Sequence, residues 1–517
     1  MAEQEPNART AGPEGDLRGR TLGGMIWTFS GAGFQAILRL ALILVLARLL
    51  GPEAFGIVGA ALVVVHLSLV FSTLGISAAL VQRPALGPRH VQTAFVFALA
   101  SGALVSFALQ LLTPAIVGFF EFEGLTGVLR TLALVPLLHN LGIVAEGLAR
   151  RALAFRRLAV ISVISFALGY GLVGVGLALL GAGVWALVGA NLVEAGARSV
   201  MLLATQPHLK TGAFDRGALR DLVVFSGGLT VKHLGQALAQ SLDNVVVGRW
   251  LGAEALGIYG RAYQLISMPP AVLGNAIIAV LFPVMSRVQH DRARLQAAYR
   301  RGTAVLGLLT FPIIAAVLVL APELILALLG PAWVGVIVPL QILAPGVFFR
   351  MVFQVSDSLA TATGAVYAIA WRQGMFAAAV LTGALIGQQW DLPGVAAGVV
   401  AAQLLYFLLT TQLSLRLTSL AAHGFAAALM RGVLLGTLVG LELLLLVLIL
   451  RHLEVPPAVT LGVAAILVSI TGVALIRLRL IGPDGLWLLE GLAGRLSPRF
   501  AAVPRLLGLS RPAAAGL

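Results

Sequence analysis

Long apolar runs, separated by short polar turns, fill most of this chain. A bilayer core of about 30 Å is crossed by roughly 20 apolar residues of helix, and about fourteen segments of that length follow one another here. They lie near 22–50, 54–81, 91–118, 126–148, 158–180, 183–205, 221–250, 255–285, 302–328, 333–360, 366–387, 393–415, 425–450 and 457–476. The pattern predicts an all-α integral membrane protein with about 14 transmembrane helices.

One stretch of the chain occurs twice. Ala47 to Ala61 (ARLLGPEAFGIVGAA) returns 201 residues later as Gly248 to Ala262 (GRWLGAEALGIYGRA). Each copy is a tight Gly/Glu turn between two apolar runs, and about six runs separate the copies. Repeats that lie an even number of spans apart face the same way across a membrane. The duplication therefore predicts two parallel-repeat six-helix lobes, with a substrate site between them.

The repeat and the polar connections divide the chain into parts. Six parts follow one another along the chain, and two of them are lobes of six spans each. They are a cytoplasmic N-terminal tail (1–21), an N-lobe of spans 1–6 (22–205), a cytoplasmic linker (206–220), a C-lobe of spans 7–12 (221–415), accessory spans 13 and 14 (425–476) and a cytoplasmic tail (477–517). Prolines 269, 270, 312, 339 and 345 predict kinks in spans 8 to 10.

Composition agrees with a membrane location. The chain is 59% hydrophobic and 11% charged, with a mean hydropathy of +0.99, so most of its surface must face lipid. It contains no cysteine, which excludes disulfides, thiolate metal sites and cysteine nucleophiles. The first 20 or so residues lack the apolar core of a signal peptide, which indicates an uncleaved tail.

The loop charges predict the orientation. Lys and Arg near span ends stay on the cytoplasmic side, and alternate counting places most of them, including Arg150, Arg151 and Arg301, on the side of both termini. We expect a multi-pass protein of the bacterial inner membrane with both termini in the cytoplasm. The net charge of +14 is explained by this asymmetry and by anionic headgroups. No nucleic-acid motif accompanies it, so no nucleic-acid partner is expected.

Polar residues deep in the spans are the candidates for chemistry, because ionisable groups there are costly and usually face a cavity or a partner. The excess is cationic, and Arg forks match phosphate geometry. The predicted substrate-binding cations are Arg39, Lys232, Arg261 and Arg350. They would suit a large anionic substrate, such as a lipid-linked pyrophosphate.

Acidic residues in the spans suggest further roles. Candidates for coupling transport to a proton or Na⁺ are Asp243, Glu194 and Asp357. Glu194 also lies four residues before Arg198, so an internal ion pair on one helix face is an alternative. The residues that recur at the outer turn are predicted to form salt bridges or to brace it. They are Arg48, Glu53, Arg249 and Glu254.

Sequence signatures of enzymes are missing. The chain has no Walker A motif, no His-Glu-x-x-His and no Gly-x-Ser-x-Gly. We therefore expect a transporter that is not an enzyme, with no cofactor, no metal site and no nucleotide site of its own.

The run from Leu46 to Gly56 (LARLLGPEAFG), the run from Leu74 to Gln82 (LGISAALVQ), and the stretch from Asp243 to Gly260 with Pro283 to Ser286 (PVMS) resemble bacterial polysaccharide transporters. These are Wzx-type oligosaccharide flippases of the multidrug/oligosaccharidyl-lipid/polysaccharide exporter superfamily. The resemblance spans roughly residues 20 to 420.

The resemblance implies two six-helix lobes around a V-shaped cavity, which alternates its access between the two sides of the membrane. It implies flipping of undecaprenyl-pyrophosphate-linked repeat units from the cytoplasmic to the periplasmic leaflet. In related flippases, Arg residues in the first span of a lobe line the cavity, which by position implies that role for Arg39. The implied partners are the lipid-linked oligosaccharide, membrane lipids, a glycan polymerase and other polysaccharide assembly proteins.

Rival functions remain open at this point. A lipid II flippase is similar in fold and also has about fourteen spans. A drug/cation antiporter of the same superfamily usually has twelve spans and an acidic cavity, which the excess of buried cations here does not favour. A membrane-embedded glycan polymerase or ligase would need a large outer loop, and no outer loop here exceeds about a dozen residues.

Overall fold

The structure is a computed structural model, and it describes residues 35–73, 75–83, 86–205, 214–477 and 482. Within these ranges, the side chains of 222–234, 272, 275, 276, 279, 280 and 366 are not described. The chain divides into two compact units. Unit 1 holds the described residues of Met1–Leu50 and Ile57–Ala237, and unit 2 holds those of Gly51–Gly56 and Leu238–Leu517. The six-helix domain boundaries predicted from the sequence stay a prediction.

Unit 1 is built from helices packed on one another. Its helices are α1 (35–49), α2 (Pro52–Thr73, whose first turn belongs to unit 2), α3 (Ile76–Gln82), α4 (Pro88–Phe120), α5 (Leu125–Leu132), α6 (Val135–Arg151), α7 (Phe155–Phe166), α8 (Val175–Leu179), α9 (Val184–Thr205) and the start of α10 (Arg216–Pro269). A π-helical segment, Ala167–Gly174, joins α7 to α8. Part of the core is formed by Ile76, Leu80, Ala94 and Ile143, which come from α3, α4 and α6.

Unit 2 contains the rest of α10 and the remaining helices. They are α11 (Asn275–Arg287), α12 (Arg292–Leu328), α13 (Ile337–Leu343), α14 (Gly346–Ala362), α15 (Val366–Gly387), α16 (Asp391–Thr418), α17 (Ala422–His452) and α18 (Pro457–Arg477). A second π-helical segment, Pro270–Gly274, follows α10, and 3-10 turns lie at Pro331–Val336 and Gln388–Trp390. The part of the chain that the structure describes contains no strand.

The all-α membrane fold expected from the sequence is confirmed. Among the described residues, nine helical stretches are long and apolar enough to cross a membrane, or ten if Pro331–Leu343 and Gly346–Ala362, bent by 49°, form one span. One stretch, Tyr367–Thr418, has 52 residues and covers the predicted spans 11 and 12. The predicted total of fourteen stays a prediction.

The kinks occur partly where proline predicted them. The bend of 49° falls beside Pro345, and α10 changes to a π-helix after Pro269. By contrast, α12 continues through Pro312 as one helix. The first π-helical segment, Ala167–Gly174, contains no proline, and the sequence analysis did not predict it.

Glycines of the repeated turn pack against each other within unit 2. A Cβ on Gly56 would lie 1.7 Å from the carbonyl oxygen of Ala253, and a Cβ on Gly257 would lie 1.9 Å from that of Pro52. Gly56 and Gly257 hold the same position of the repeat, as do Pro52 and Ala253. The two copies thus make reciprocal backbone contacts that only glycine permits. Gly252, with φ of 94°, turns the chain between the predicted spans 7 and 8.

The accessory helix α17 is fixed to α12. Gly432, Gly436 and Gly440, spaced by four, face Gly307, Phe311 and Ala315 respectively. Small residues at this spacing let helix backbones approach closely in lipid. An ion pair reinforces the contact, because Arg451 Nε donates to Glu323 Oε1 at 2.7 Å. The last two helices therefore belong to the packed body of unit 2.

Candidate functional site

Arg39 is the central residue of a polar network in unit 1. Its Nη2 lies 3.8 Å from Glu194 Oε1 on α9, and the two side chains are 49% and 19% exposed. The guanidinium lies over the ring of Phe166, 5.0 Å from its centre, and Phe166 stacks on Tyr170 with 4.5 Å between ring centres. A cation over an aromatic face is attracted by the ring quadrupole. The ring of Phe166 therefore holds the guanidinium in place, while half of the Arg39 side chain stays exposed.

Glu146 on α6 binds the other cations of this network. Arg198 Nη2 donates to Glu146 Oε2 at 3.1 Å, and Arg150 Nη2 donates to Glu146 Oε1 at 2.7 Å. The structure gives Arg198 an ion pair with Glu146, while its interaction with Glu194 is electrostatic at longer range, so the internal Glu194–Arg198 pair stays a prediction. Arg198 donates to a carboxylate of another helix, and Glu194 lies 3.8 Å from Arg39. The spacing of residues along α9 cannot show that Glu146, a carboxylate of α6, lies beside Arg198.

The first π-helical segment brings Glu194 close to Arg39. A Cβ on Gly169 would lie 2.8 Å from the backbone nitrogen of Glu194 and 2.5 Å from the carbonyl oxygen of Ala190. The bare glycine lets α9 approach the segment at the level of Glu194. π-Helical turns inside α-helices are rare and occur frequently at functional sites. Here the segment carries Tyr170 and directly follows Phe166.

His66 adds a polar group beside Arg39. It lies on α2, is exposed, and is within range of electrostatic interaction with Arg39 and with His139 of α6. The exposed polar patch of unit 1 thus contains Arg39 and His66, and the less exposed Glu194 lies beside Arg39.

Asp243 is the centre of a second network, in unit 2, and it is buried, at 1% exposure. Its Oδ2 accepts a hydrogen bond of 2.8 Å from the hydroxyl of Tyr259, which is fully buried. Its Oδ1 accepts from the backbone and side-chain nitrogens of Asn244, at 2.9 and 3.1 Å. Both carboxylate oxygens are thus hydrogen-bonded, as a buried carboxylate requires.

Arg350 of α14 belongs to the same network. Its Nη1 donates to Ser267 Oγ at 2.7 Å, and its guanidinium lies 5.1 Å from the ring centre of Tyr263. Tyr263 in turn lies 6.1 Å from Tyr259, measured between ring centres. From the sequence, Arg350 and Asp243 are proposed for separate roles, and the residues that join them are not predicted. Tyr259, Tyr263 and Ser267 are spaced by four along α10, a helical-face signal that would have found them.

Arg261 lies at the repeated turn. Its guanidinium is 4.4 Å from the ring centre of Phe55, it donates to Gln264 Oε1, and Phe55 meets the edge of Trp333 at 5.6 Å between ring centres. The structure therefore brings Arg261 to an aromatic cluster.

Other predicted residues lie elsewhere. The side chain of Lys232 lies outside the described residues. Asp357 is half-buried on α14 and interacts electrostatically with Tyr406 of α16. At the turn, Arg48, Glu53 and Glu254 are exposed and Arg249 is half-buried, and the bracing role of these four residues stays a prediction.

One buried cation among the described residues was not predicted from the sequence. Arg372 of α15 is 7% exposed, donates to the backbone carbonyls of Leu409, at 3.1 Å, and Ala368, and lies over Trp371. These carbonyl partners give it a role in helix packing. Within the described ranges, no group of three or more His, Asp or Glu residues is arranged to hold a metal ion.

Known proteins resemble this chain in sequence and in fold. Residues 45–338 match the model of the family described as polysaccharide biosynthesis protein. The chain belongs to this family. It is 26% identical to the teichuronic acid biosynthesis protein TuaB of Bacillus subtilis over 61% of this chain and 68% of that protein. It is 31% identical to the succinoglycan biosynthesis transport protein ExoT of Rhizobium meliloti over 56% and 58%, and 24% identical to the lipopolysaccharide biosynthesis protein WzxC of Escherichia coli over 76% and 80%.

These matches confirm the resemblance to Wzx-like polysaccharide transporters, and they identify a membrane transport protein of polysaccharide biosynthesis. Solved structures agree on the fold. The inward closed conformation of the lipid II flippase MurJ has a TM-score of 0.64 and 13% identity over 81% of this chain and 93% of that one. An inward-facing multidrug resistance MATE family transporter has a TM-score of 0.60 and 17% identity over 75% and 96%.

Proposed function

We propose that the protein is a flippase that moves undecaprenyl-pyrophosphate-linked oligosaccharide repeat units across the bacterial inner membrane by alternating access, for surface or exopolysaccharide biosynthesis. The observation that carries this proposal is a half-exposed arginine, Arg39, inside the apolar part of a polysaccharide transporter. In this proposal both termini lie in the cytoplasm, and a glycan polymerase and other assembly proteins act on the product.

The exposure of Arg39 supports an aqueous path. An arginine that faces hydrocarbon is expensive, and intramembrane charges face the bundle interior or a water-filled cavity. A side chain that is 49% exposed in unit 1 therefore meets water or an anionic ligand. The planar guanidinium can bind phosphate oxygens through two parallel hydrogen bonds. A diphosphate headgroup fits this donor, while its polyprenyl tail can stay in the lipid.

The charge balance of unit 1 supports an anionic substrate. The network joins three cations, Arg39, Arg150 and Arg198, to two carboxylates, Glu146 and Glu194. One positive charge is left over, because Glu146 pairs with two arginines, and both Arg39 and Arg150 are half-exposed. This balance does not favour a cation antiporter, whose site would need the opposite sign. Lys232, Arg261 and Arg350 remain proposed substrate-binding cations, and Asp243, Glu194 and Asp357 remain proposed coupling sites.

A lipid II flippase is the alternative. The fold shared with MurJ is compatible with it, and a peptidoglycan precursor also carries a diphosphate, so Arg39 would serve either substrate. Membership of the polysaccharide biosynthesis family favours the oligosaccharide repeat unit.

The test is leaflet-resolved measurement of lipid-linked glycans in cells from which the gene is deleted and then restored. We expect a sugar-linked polyprenyl diphosphate to accumulate on the cytoplasmic leaflet and to clear on restoration, and its glycan identifies the substrate. Accumulation of lipid II instead would support the alternative. Unchanged glycan lipids together with increased sensitivity to drugs or cations would contradict both and favour an antiporter.

A further inference from the structure

The carboxylate opposite Arg39 is held differently from Glu146, the other carboxylate of this network. Glu194 Oε1 lies 3.8 Å from Arg39 Nη2, beyond the roughly 2.7–3.2 Å of an N–H···O hydrogen bond. In the same unit, Glu146 accepts bonds of 2.7 and 3.1 Å from Arg150 and Arg198. The Arg39–Glu194 pair is thus an electrostatic contact with unused hydrogen-bonding capacity on the arginine.

Glu194 is also less exposed than Arg39. Its side chain is 19% exposed against 49% for Arg39, and the neighbouring backbone is fixed by the close approach of Gly169. The guanidinium is therefore more accessible to a ligand than the carboxylate. Phe166 keeps the guanidinium in place by stacking, whether or not the carboxylate is its partner.

We propose that Glu194 is the resident counter-ion of Arg39, which the diphosphate of the substrate displaces on binding. A diphosphate offers more oxygens and more charge than one carboxylate, so it outcompetes Glu194 for the guanidinium. Like-charge repulsion between Glu194 and the bound diphosphate then limits how tightly the substrate is held. When the substrate leaves, Glu194 pairs with Arg39 again and stabilises the empty site. Glu194 is in this role a positioning residue that sets affinity and promotes release. The inference rests on the proposed function.

The remaining charges near Glu194 do not replace Arg39 as its partner. The closest is Arg198, one turn further along α9, which Glu146 already binds. His139 and His66 lie around the same network. A displaced Glu194 is therefore left with weaker interactions inside the membrane, which raises the free energy of the loaded state.

The experiment measures affinity and export separately for Glu194→Gln. Binding of farnesyl diphosphate, a short prenyl diphosphate, to the purified full-length protein in detergent gives the dissociation constant, and surface glycan per unit of membrane protein gives export. Loss of the competing carboxylate should tighten binding by roughly three- to tenfold. Export should fall, because release becomes slower. A merely structural role would weaken binding and export together.

Matched controls make the result decisive. Glu442→Gln removes another intramembrane carboxylate, on α17, whose Oε1 accepts a hydrogen bond from Thr471, and it should change neither affinity nor export. Arg39→Gln should abolish diphosphate binding. Unchanged or weaker binding in a folded Glu194→Gln protein overturns the inference and leaves the flippase proposal standing. Absence of diphosphate binding by the wild-type protein overturns both the inference and the proposed substrate class.

Discussion

The two polar networks differ in how completely their charges are satisfied. In unit 2, Asp243 accepts a bond of 2.8 Å from Tyr259, and Arg350 donates one of 2.7 Å to Ser267. In unit 1, Arg39 is half-exposed and stays 3.8 Å from its carboxylate. In the sequence, Asp243 and Arg39 are both ionisable residues within predicted spans, so the sequence does not distinguish the two networks. An ionisable residue in a span is thus a stronger candidate for a ligand site when its hydrogen bonds are left open, as at Arg39.

The difference has a physical basis. A charge inside the membrane needs compensation, and the protein can supply it completely or in part. Complete compensation, as at Asp243, fixes helices relative to each other and leaves no capacity for a ligand. Partial compensation, as at Arg39, lowers the cost of the empty state and keeps donors available. We therefore expect mutations in the two networks to act on different properties, namely transport in unit 1 and stability in unit 2.

The largest expected effect comes from Arg39. Arg39→Ala should abolish export of the surface glycan without lowering the amount of protein in the membrane, because it removes the guanidinium that would bind the diphosphate. Arg39→Lys should retain part of the export, since it keeps the charge but loses the bidentate fork. The measurement is surface glycan per cell against membrane protein detected by immunoblot. Normal export by the alanine variant would show that Arg39 does not take part in transport. The proposed difference between the two networks would then be wrong.

A moderate effect on stability is expected from Tyr259→Phe. The change removes the hydroxyl that bonds the buried Asp243 and leaves one carboxylate oxygen without that donor. We expect a loss of about 1–3 kcal/mol in unfolding free energy. It would be measured by reversible denaturation in detergent, or seen as a lower Tm if unfolding is irreversible.

The matched control for Tyr259 is Tyr299→Phe, in the same unit. Tyr299 is also fully buried, but its hydroxyl lies 3.5 Å from the neutral Ser356 hydroxyl, so its loss should cost less. Export by the Tyr259 variant, normalised to protein amount, should stay close to wild type. A normalised export loss as large as that of Arg39→Ala would show that the Asp243 network takes part in transport.

Apolar length and periodicity were enough to predict the all-α membrane fold, and the repeated turn pointed to its paired glycines. The partners of the charges were not predictable, because they come from distant helices. Arg39 and Glu194 are 155 positions apart in the sequence, and Arg198 and Glu146 are 52 positions apart. The π-helical segment at Ala167–Gly174 also lacks a sequence signal, since its glycines match those of ordinary close packing. Tyr259 and Tyr263 are four residues apart, which predicts that they share one helix face. The sequence does not show that Tyr259 bonds a buried Asp243.

The smallest expected effect comes from a carboxylate outside the membrane, which serves as a reference for both networks. Asp215 precedes α10 and accepts hydrogen bonds from the backbone nitrogens of Ala218, at 3.1 Å, and Gly217, at 2.7 Å. These bonds, helped by Arg89 with its Nη1 3.6 Å away, hold the pKa of the Asp215 carboxyl below its usual value. Because the folded pKa is lowered, the stabilisation is present above the unfolded pKa and is lost as pH falls through the folded one.

Asp215→Asn should therefore lower the Tm slightly at neutral pH, and the difference from wild type should vanish in acid. The measurement is a thermal melt of both proteins across this pH range, and a difference that grows as the pH falls would contradict the capping role. Since water already solvates this carboxylate, the loss should be smaller than that at Tyr259, where no water replaces the hydroxyl that bonds Oδ2 of the buried Asp243.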